Sequence, residues 1–256
     1  MKKTDALLIG IFAICAGIAV VFGLPNLIPY SDKALGNLVQ DTVPRLSICI
    51  FLVVLLALRG YASVLKPKWR RSHLLWSIPC LLVAVANFPF GALISGEAVI
   101  ERWGLIWIFA LKCIAIALLE EIFFRAIVLP FFMERFANNR YRVLISVLGS
   151  SSLFALMHLI NLFFGAGIGE TMLQVGYTFL LGCMLAVMML KTKNIWLCVI
   201  VHALFDFGGN IVTDLGRGSF QDVTFWILTA VAGLICTVHI ILSLKQIISE
   251  KEEDNV

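Results

Sequence analysis

The sequence is poor in charge. Of its 256 residues only 14% are Asp, Glu, Lys or Arg, while 61% are apolar. A soluble domain carries about 25% charged residues. Mean hydropathy is +0.97. So little polar surface cannot cover a water-soluble core of this size. That excludes an ordinary soluble enzyme, a disordered chain and a free nucleic-acid binder. The sequence also lacks paired cysteines. Cys15, Cys49, Cys80, Cys113, Cys183, Cys198 and Cys236 are scattered singly through apolar runs, with no CxxC among them. They read as small hydrophobes, not as a disulfide framework or a zinc knuckle. Three protease signatures are missing as well: HExxH, GxSG and GxGD.

What is present is a series of long apolar runs. A membrane helix needs about 20 mostly apolar residues. Eight segments meet that, near 6–24, 44–64, 74–94, 103–133, 143–164, 171–190, 195–213 and 223–246. The expectation is an all-α polytopic membrane protein with one membrane domain over 1–248 and a charged tail over 249–256. The start, Met1-Lys2-Lys3 before an apolar run, resembles a signal peptide, but no small-x-small site follows. It reads as a retained first helix.

Charge placement sets the expected orientation. With the N-terminus in the cytoplasm, fourteen of the 20 Lys and Arg residues fall on cytoplasmic segments. Four, Lys33, Arg45, Arg102 and Arg217, fall outside; Lys112 and Arg125 lie within the fourth span. This bias predicts eight spans with both ends inside.

Ionisable groups inside a bilayer cost a few kcal/mol each and persist where they face a polar interior. Four groups of this kind stand out. Glu120-Glu121-Ile122-Phe123-Phe124-Arg125 places Glu121 and Arg125 one turn apart on one face, where they can pair. Glu120 points about 100° away and lacks that partner. A desolvated, unpaired carboxylate makes a general base. Phe154-Ala155-Leu156-Met157-His158 brings a histidine into the fifth span, with Asn161 nearly a turn later. His202-Ala203-Leu204-Phe205-Asp206 opens a polar stripe in the seventh span that continues through Asn210 and Asp214. Lys112, eight residues before Glu120, either neutralises a carboxylate or snorkels outward. His239 and Gln174 read as structural, and His73 as solvated.

One carboxylate base, two histidines and an aspartate on three helices suit the activation of a water molecule. The base takes its proton, and a histidine with its neighbour stabilises the developing oxyanion. Glu120, His158 and His202 are also zinc-ligand types, so a metal is the alternative. At 1.5 Å per residue, Glu120 lies ~20 Å, His158 ~22 Å and His202 to Asp206 ~10 to ~16 Å from their cytoplasmic helix ends. Those depths allow one common site. Two other functions suit such residues: a non-catalytic immunity or scaffold protein, and a proton-coupled transporter. No repeat relates the two halves, as many transporters would show.

Glu120-Glu121-x-x-x-Arg125, Phe154-x-x-x-His158 and His202-x-x-x-Asp206, in that order, resemble the three signature motifs of the CPBP family, the CaaX protease and bacteriocin-processing (Abi) family. The resemblance covers a core of about 103–213. It implies about eight helices around a cytosol-facing polar cavity, and intramembrane hydrolysis of a peptide or protein substrate arriving from the membrane or the cytosolic side. Carried over by motif, Glu120 activates water beside His158, His202 and Asp206 stabilise the oxyanion, and Arg125 holds Glu121. The preferred family mechanism needs no metal; zinc is the minority view. Where eukaryotic members carry Asn, this chain has Asp206. An ionised carboxylate cannot donate a hydrogen bond, so Asp206 is expected to orient His202 or to be protonated itself. The compact chain resembles bacterial members, which implies a bacterial cell membrane and bacteriocin or pheromone processing.

Overall fold

The computed structural model describes residues 31–58, 60–219 and 221–253. The expected first span, 6–24, lies outside the described residues. Asp32 caps the first helix, α1 (Lys33–Leu58). Its carboxylate accepts the backbone N–H groups of Ala34 and Leu35, at 2.9 and 3.3 Å, satisfying donors that the first turn leaves open. Arg102 grips the same carboxylate at 2.8 and 2.9 Å. The Leu35 and Ala34 N–H groups and the Arg102 guanidinium hold Asp32 below the usual carboxylate range.

The expected span 74–94 is not one helix. It is broken into α2 (Arg71–Trp76), α3 (Ile78–Ala86) and α4 (Phe90–Ser95). Proline is the physical reason. Pro79 and Pro89 each lack the N–H that would continue the ladder, and each restricts the residue before it. A short strand, β1 (Ala98–Ile100), leads into α5 (Ile106–Phe123). One wide π-turn, Phe124–Val128, joins α5 to α6 (Leu129–Arg135), with Pro130 just after the turn. Such turns mark helices whose hydrogen-bond register is interrupted, often at functional sites. Then come α7 (Arg142–Met157), which tightens into a 3₁₀ turn over His158–Phe164, and α8 (Ile168–Thr192). Asn194 caps α9 (Ile195–Leu215) by accepting the Trp196 N–H at 3.1 Å. A strand β2 (Gly216–Gly218) pairs antiparallel with β1, and α10 (Val223–Glu253) ends the described chain.

The fold is therefore mostly helical. Five described helices are long and apolar enough to cross a membrane: Lys33–Leu58, Arg142–Phe164, Ile168–Thr192, Ile195–Leu215 and Val223–Glu250. The chain is an integral membrane protein. Helix α5 is not among the five, because Lys112, Glu120 and Glu121 interrupt its apolar character. Glu121 is fully buried and Lys112, half-buried, is paired with Asp41 and Asp214, so these two charges face protein partners and not lipid.

Contacts sort the loops into two groups. At one end, Arg102 meets Asp32, Arg217 meets Glu101, and Gly216 lies so close to the Val99 carbonyl that a larger residue would collide with it. At the other, Lys191 meets Glu250, Asn194 donates to the Lys68 carbonyl, and the Trp196 indole donates to the Leu65 carbonyl. The first group holds the residues that the charge count assigns outside, the second those it assigns inside.

Candidate active site

Glu121 and Arg125 flank the start of the π-turn with no exposed side-chain surface, Arg125 Nε lying 2.9 Å from Glu121 Oε2. Two opposite charges removed from water together attract strongly in low dielectric, and removing either leaves the other uncompensated. The other Glu121 oxygen does something the sequence did not disclose. Oε1 accepts a hydrogen bond from His202 Nδ1 at 2.9 Å. A carboxylate paired with Arg125 is an acceptor only, so His202 Nδ1 carries the proton. Its Nε2 is then directed elsewhere: it lies 3.7 Å from Glu120 Oε2 and 3.7 Å from Asp206 Oδ2. Both distances exceed a direct hydrogen bond. The direct hydrogen-bond partner of the ring is thus Glu121, while Asp206 faces its far nitrogen.

Phe154 sits among the three motifs. Its ring meets His158 edge-on at 5.3 Å and His202 edge-on at 5.8 Å, and the Arg125 guanidinium lies 5.3 Å from its centroid. Gly182 of α8 makes this possible. A Cβ there would come within 3.0 Å of the Phe154 ring and 3.1 Å of Ser151. His158 ends α7, and its Nδ1 donates back to the Phe154 carbonyl at 3.1 Å. The tautomer that this bond requires leaves Nε2 as an acceptor.

Other expected residues are placed differently. Asn161 donates to Gln174 Oε1 at 2.8 Å, which binds the 3₁₀ turn to α8 and gives Gln174 its structural part. Asn210 donates to the Asp206 carbonyl at 2.8 Å. Lys112 neutralises carboxylates and does not snorkel: its Nζ lies 2.9 Å from Asp214 and 3.0 Å from Asp41. Asp41, which also pairs with Arg45, went unnoticed in the sequence because it falls in a segment read as a loop. His239 packs at a tilt against Trp76, ring centroids 4.4 Å apart, far in sequence from the motifs.

A cavity of about 1130 Å³ meets this cluster at Glu120. One stretch of its wall is apolar, with Leu119, Phe123, Phe124, Met157 and Phe164; another is charged, with Lys33, Asp41, Arg45, Arg102, Lys112 and Asp214. The charged stretch belongs to the end that the Lys and Arg count places outside, which does not agree with a cytosol-facing cavity.

The zinc alternative can be set against these positions. Among the described residues, no three His, Cys, Asp or Glu side chains form a group able to hold a metal ion.

Residues 102–208 match the family model described as type II CAAX prenyl endopeptidase Rce1-like. This agrees with the CPBP resemblance, and the matched stretch contains all three motifs. No curated protein and no solved structure matches the chain.

Proposed function

We propose that this protein is an intramembrane endopeptidase that hydrolyses peptide bonds of membrane-associated peptides or proteins with a water activated by Glu120. The observation that carries the reading is His202 set between two carboxylates, one of which, Glu120, borders a cavity large enough for a peptide segment. In the reaction, Glu120 takes a proton from water and the resulting hydroxide adds to the scissile carbonyl. His158 Nε2 holds the same water. His202, braced through Nδ1 by Glu121, donates from a protonated Nε2 to the oxyanion, and Asp206 stabilises that imidazolium. Glu120 then passes its proton to the leaving amine, and the C–N bond breaks. The cavity's apolar wall suits a substrate presented from the membrane.

The direct test compares peptides and protein termini in cells carrying the native chain or Glu120→Gln at matched expression. Termini that require Glu120 support the endopeptidase reading and name the substrate. Unchanged termini, with any phenotype intact, move the assignment to a non-catalytic immunity or scaffold protein.

The mechanism routes no step through a metal. Turnover by purified protein is therefore expected to survive extensive chelation. Loss on chelation, restored by zinc, would overturn it.

The orientation belongs to the same proposal: eight spans, both ends inside. Single cysteines at Lys68 and at Arg217 report on it. An impermeant thiol reagent added to intact cells is expected to modify the second and spare the first. The reverse pattern would invert the topology and turn the charged wall of the cavity toward the cytosol.

A further inference from the structure

A second cavity, of about 260 Å³, lies beside α9. It shares no lining residue with the first. Glu120 borders the first cavity and Asp206 the second, and His202 Nε2 stands 3.7 Å from each carboxylate. The imidazole lines neither cavity itself but stands between a carboxylate of each, with an acceptor on either side. The second chamber is small and mostly apolar, with polar side chains at intervals: Asn87, Tyr177, Asp206, Asn210, Gln221 and Thr229 line it, of which Tyr177, Asn210 and Gln221 are exposed. Asn87 and Asn210 donate to the carbonyls of Phe205 and Asp206, which leaves their own carbonyl oxygens as acceptors. Asp206 Oδ2 is buried and makes no hydrogen bond among the described residues.

Size and chemistry together limit the occupant. A volume of 260 Å³ is below the usual range for an organic ligand, about 300–1,000 Å³. It holds roughly eight waters at about 30 Å³ each. Peptide hydrolysis consumes one water per bond cut: the oxygen and one hydrogen become part of the new carboxyl group, and the other hydrogen goes to the new amine. A substrate segment lying in the first cavity covers Glu120 from that side. Replacement water then needs another path.

We propose that the second cavity is the water supply of the active site, delivering water past Asp206 and His202 to Glu120 while substrate fills the first cavity. The inference rests on the endopeptidase reading. Asp206 receives each water, and His202 hands it on to Glu120.

Gly233 of α10 offers the test. It lines the second cavity, and a Cβ built on it meets nothing within 4 Å. A side chain can thus start there without disturbing the backbone: Gly233→Leu adds four carbons at the chamber wall, and Gly233→Ala adds one. With a cleavable substrate, Gly233→Leu is expected to lower kcat about tenfold at unchanged KM, and Gly233→Ala to stay near native. A raised KM at native kcat would make the chamber a substrate pocket and overturn the proposal. Native values for both constants would overturn it too. A second measurement does not depend on turnover. Thr229→Cys in native membranes is expected to react with a small, water-soluble thiol reagent above the background of the native cysteines. Protection of that thiol would mean that water does not reach the chamber. A native chain that cleaves nothing, with Thr229→Cys reactive, would defeat the endopeptidase reading alone.

Discussion

Glu120→Gln is expected to lower kcat by about a thousandfold, within the 10² to 10⁴ typical of a lost general base, while the protein folds and expresses as the native chain does. The amide keeps the size of the side chain and removes the proton acceptor. Glu120 is only partly buried and its nearest charged neighbour, His202 Nε2, is 3.7 Å away, beyond a direct hydrogen bond. Little of the fold depends on it. Purified variant and native protein, compared by thermal unfolding in detergent and by single-turnover cleavage, separate the two effects. A variant that unfolds early, or one that retains a tenth of the native rate, would remove Glu120 from the role of base.

The second large effect is expected at Arg125. Arg125→Leu should destabilise by about 3–5 kcal/mol, because it leaves Glu121 charged in a site with no exposed surface. Arg125→Lys should cost less, since it keeps a cation while giving up the planar fork. Glu121→Gln makes a revealing third member. The motif alone makes Glu121 the partner of Arg125, so its loss should affect stability and little else. The Glu121–His202 bond changes that expectation. An amide oxygen still accepts from Nδ1–H, yet without a charge to brace an imidazolium, so kcat should fall together with stability. Melting temperatures and kcat for the three variants check this. Native kcat in well-folded Glu121→Gln would show that the His202 bond plays no part in the reaction.

Legibility in the sequence followed the range of each interaction. Pairs one turn apart on a single helix were legible: the spacing of Glu121 and Arg125 predicts their contact, and they make it. Composition predicted membrane helices, and five described helices have that character. The broken segment between Arg71 and Ser95 shows where this method fails. Its apolar residues run through as one span, but two prolines interrupt the ladder, and a hydropathy count does not register a missing N–H. Asp41 was overlooked for a related reason. The apolar count began at residue 44, whereas the helix begins at Lys33 under its Asp32 cap.

By itself, then, the sequence determined the class of molecule, the polar residues inside its helices and the order of the three motifs, because these depend on residue type and on periodicity along one chain. The relation between helices was decided by tertiary packing. That Glu121 reaches His202 across 81 positions, that Lys112 answers Asp214 across 102, and that Gly182 makes room for Phe154 between two histidines are facts of packing. So is the placing of Glu120 and Asp206 at different cavities, each 3.7 Å from the same imidazole nitrogen. No spacing rule reaches so far, since the distance between residues on different helices depends on how those helices cross, not on how many residues separate them.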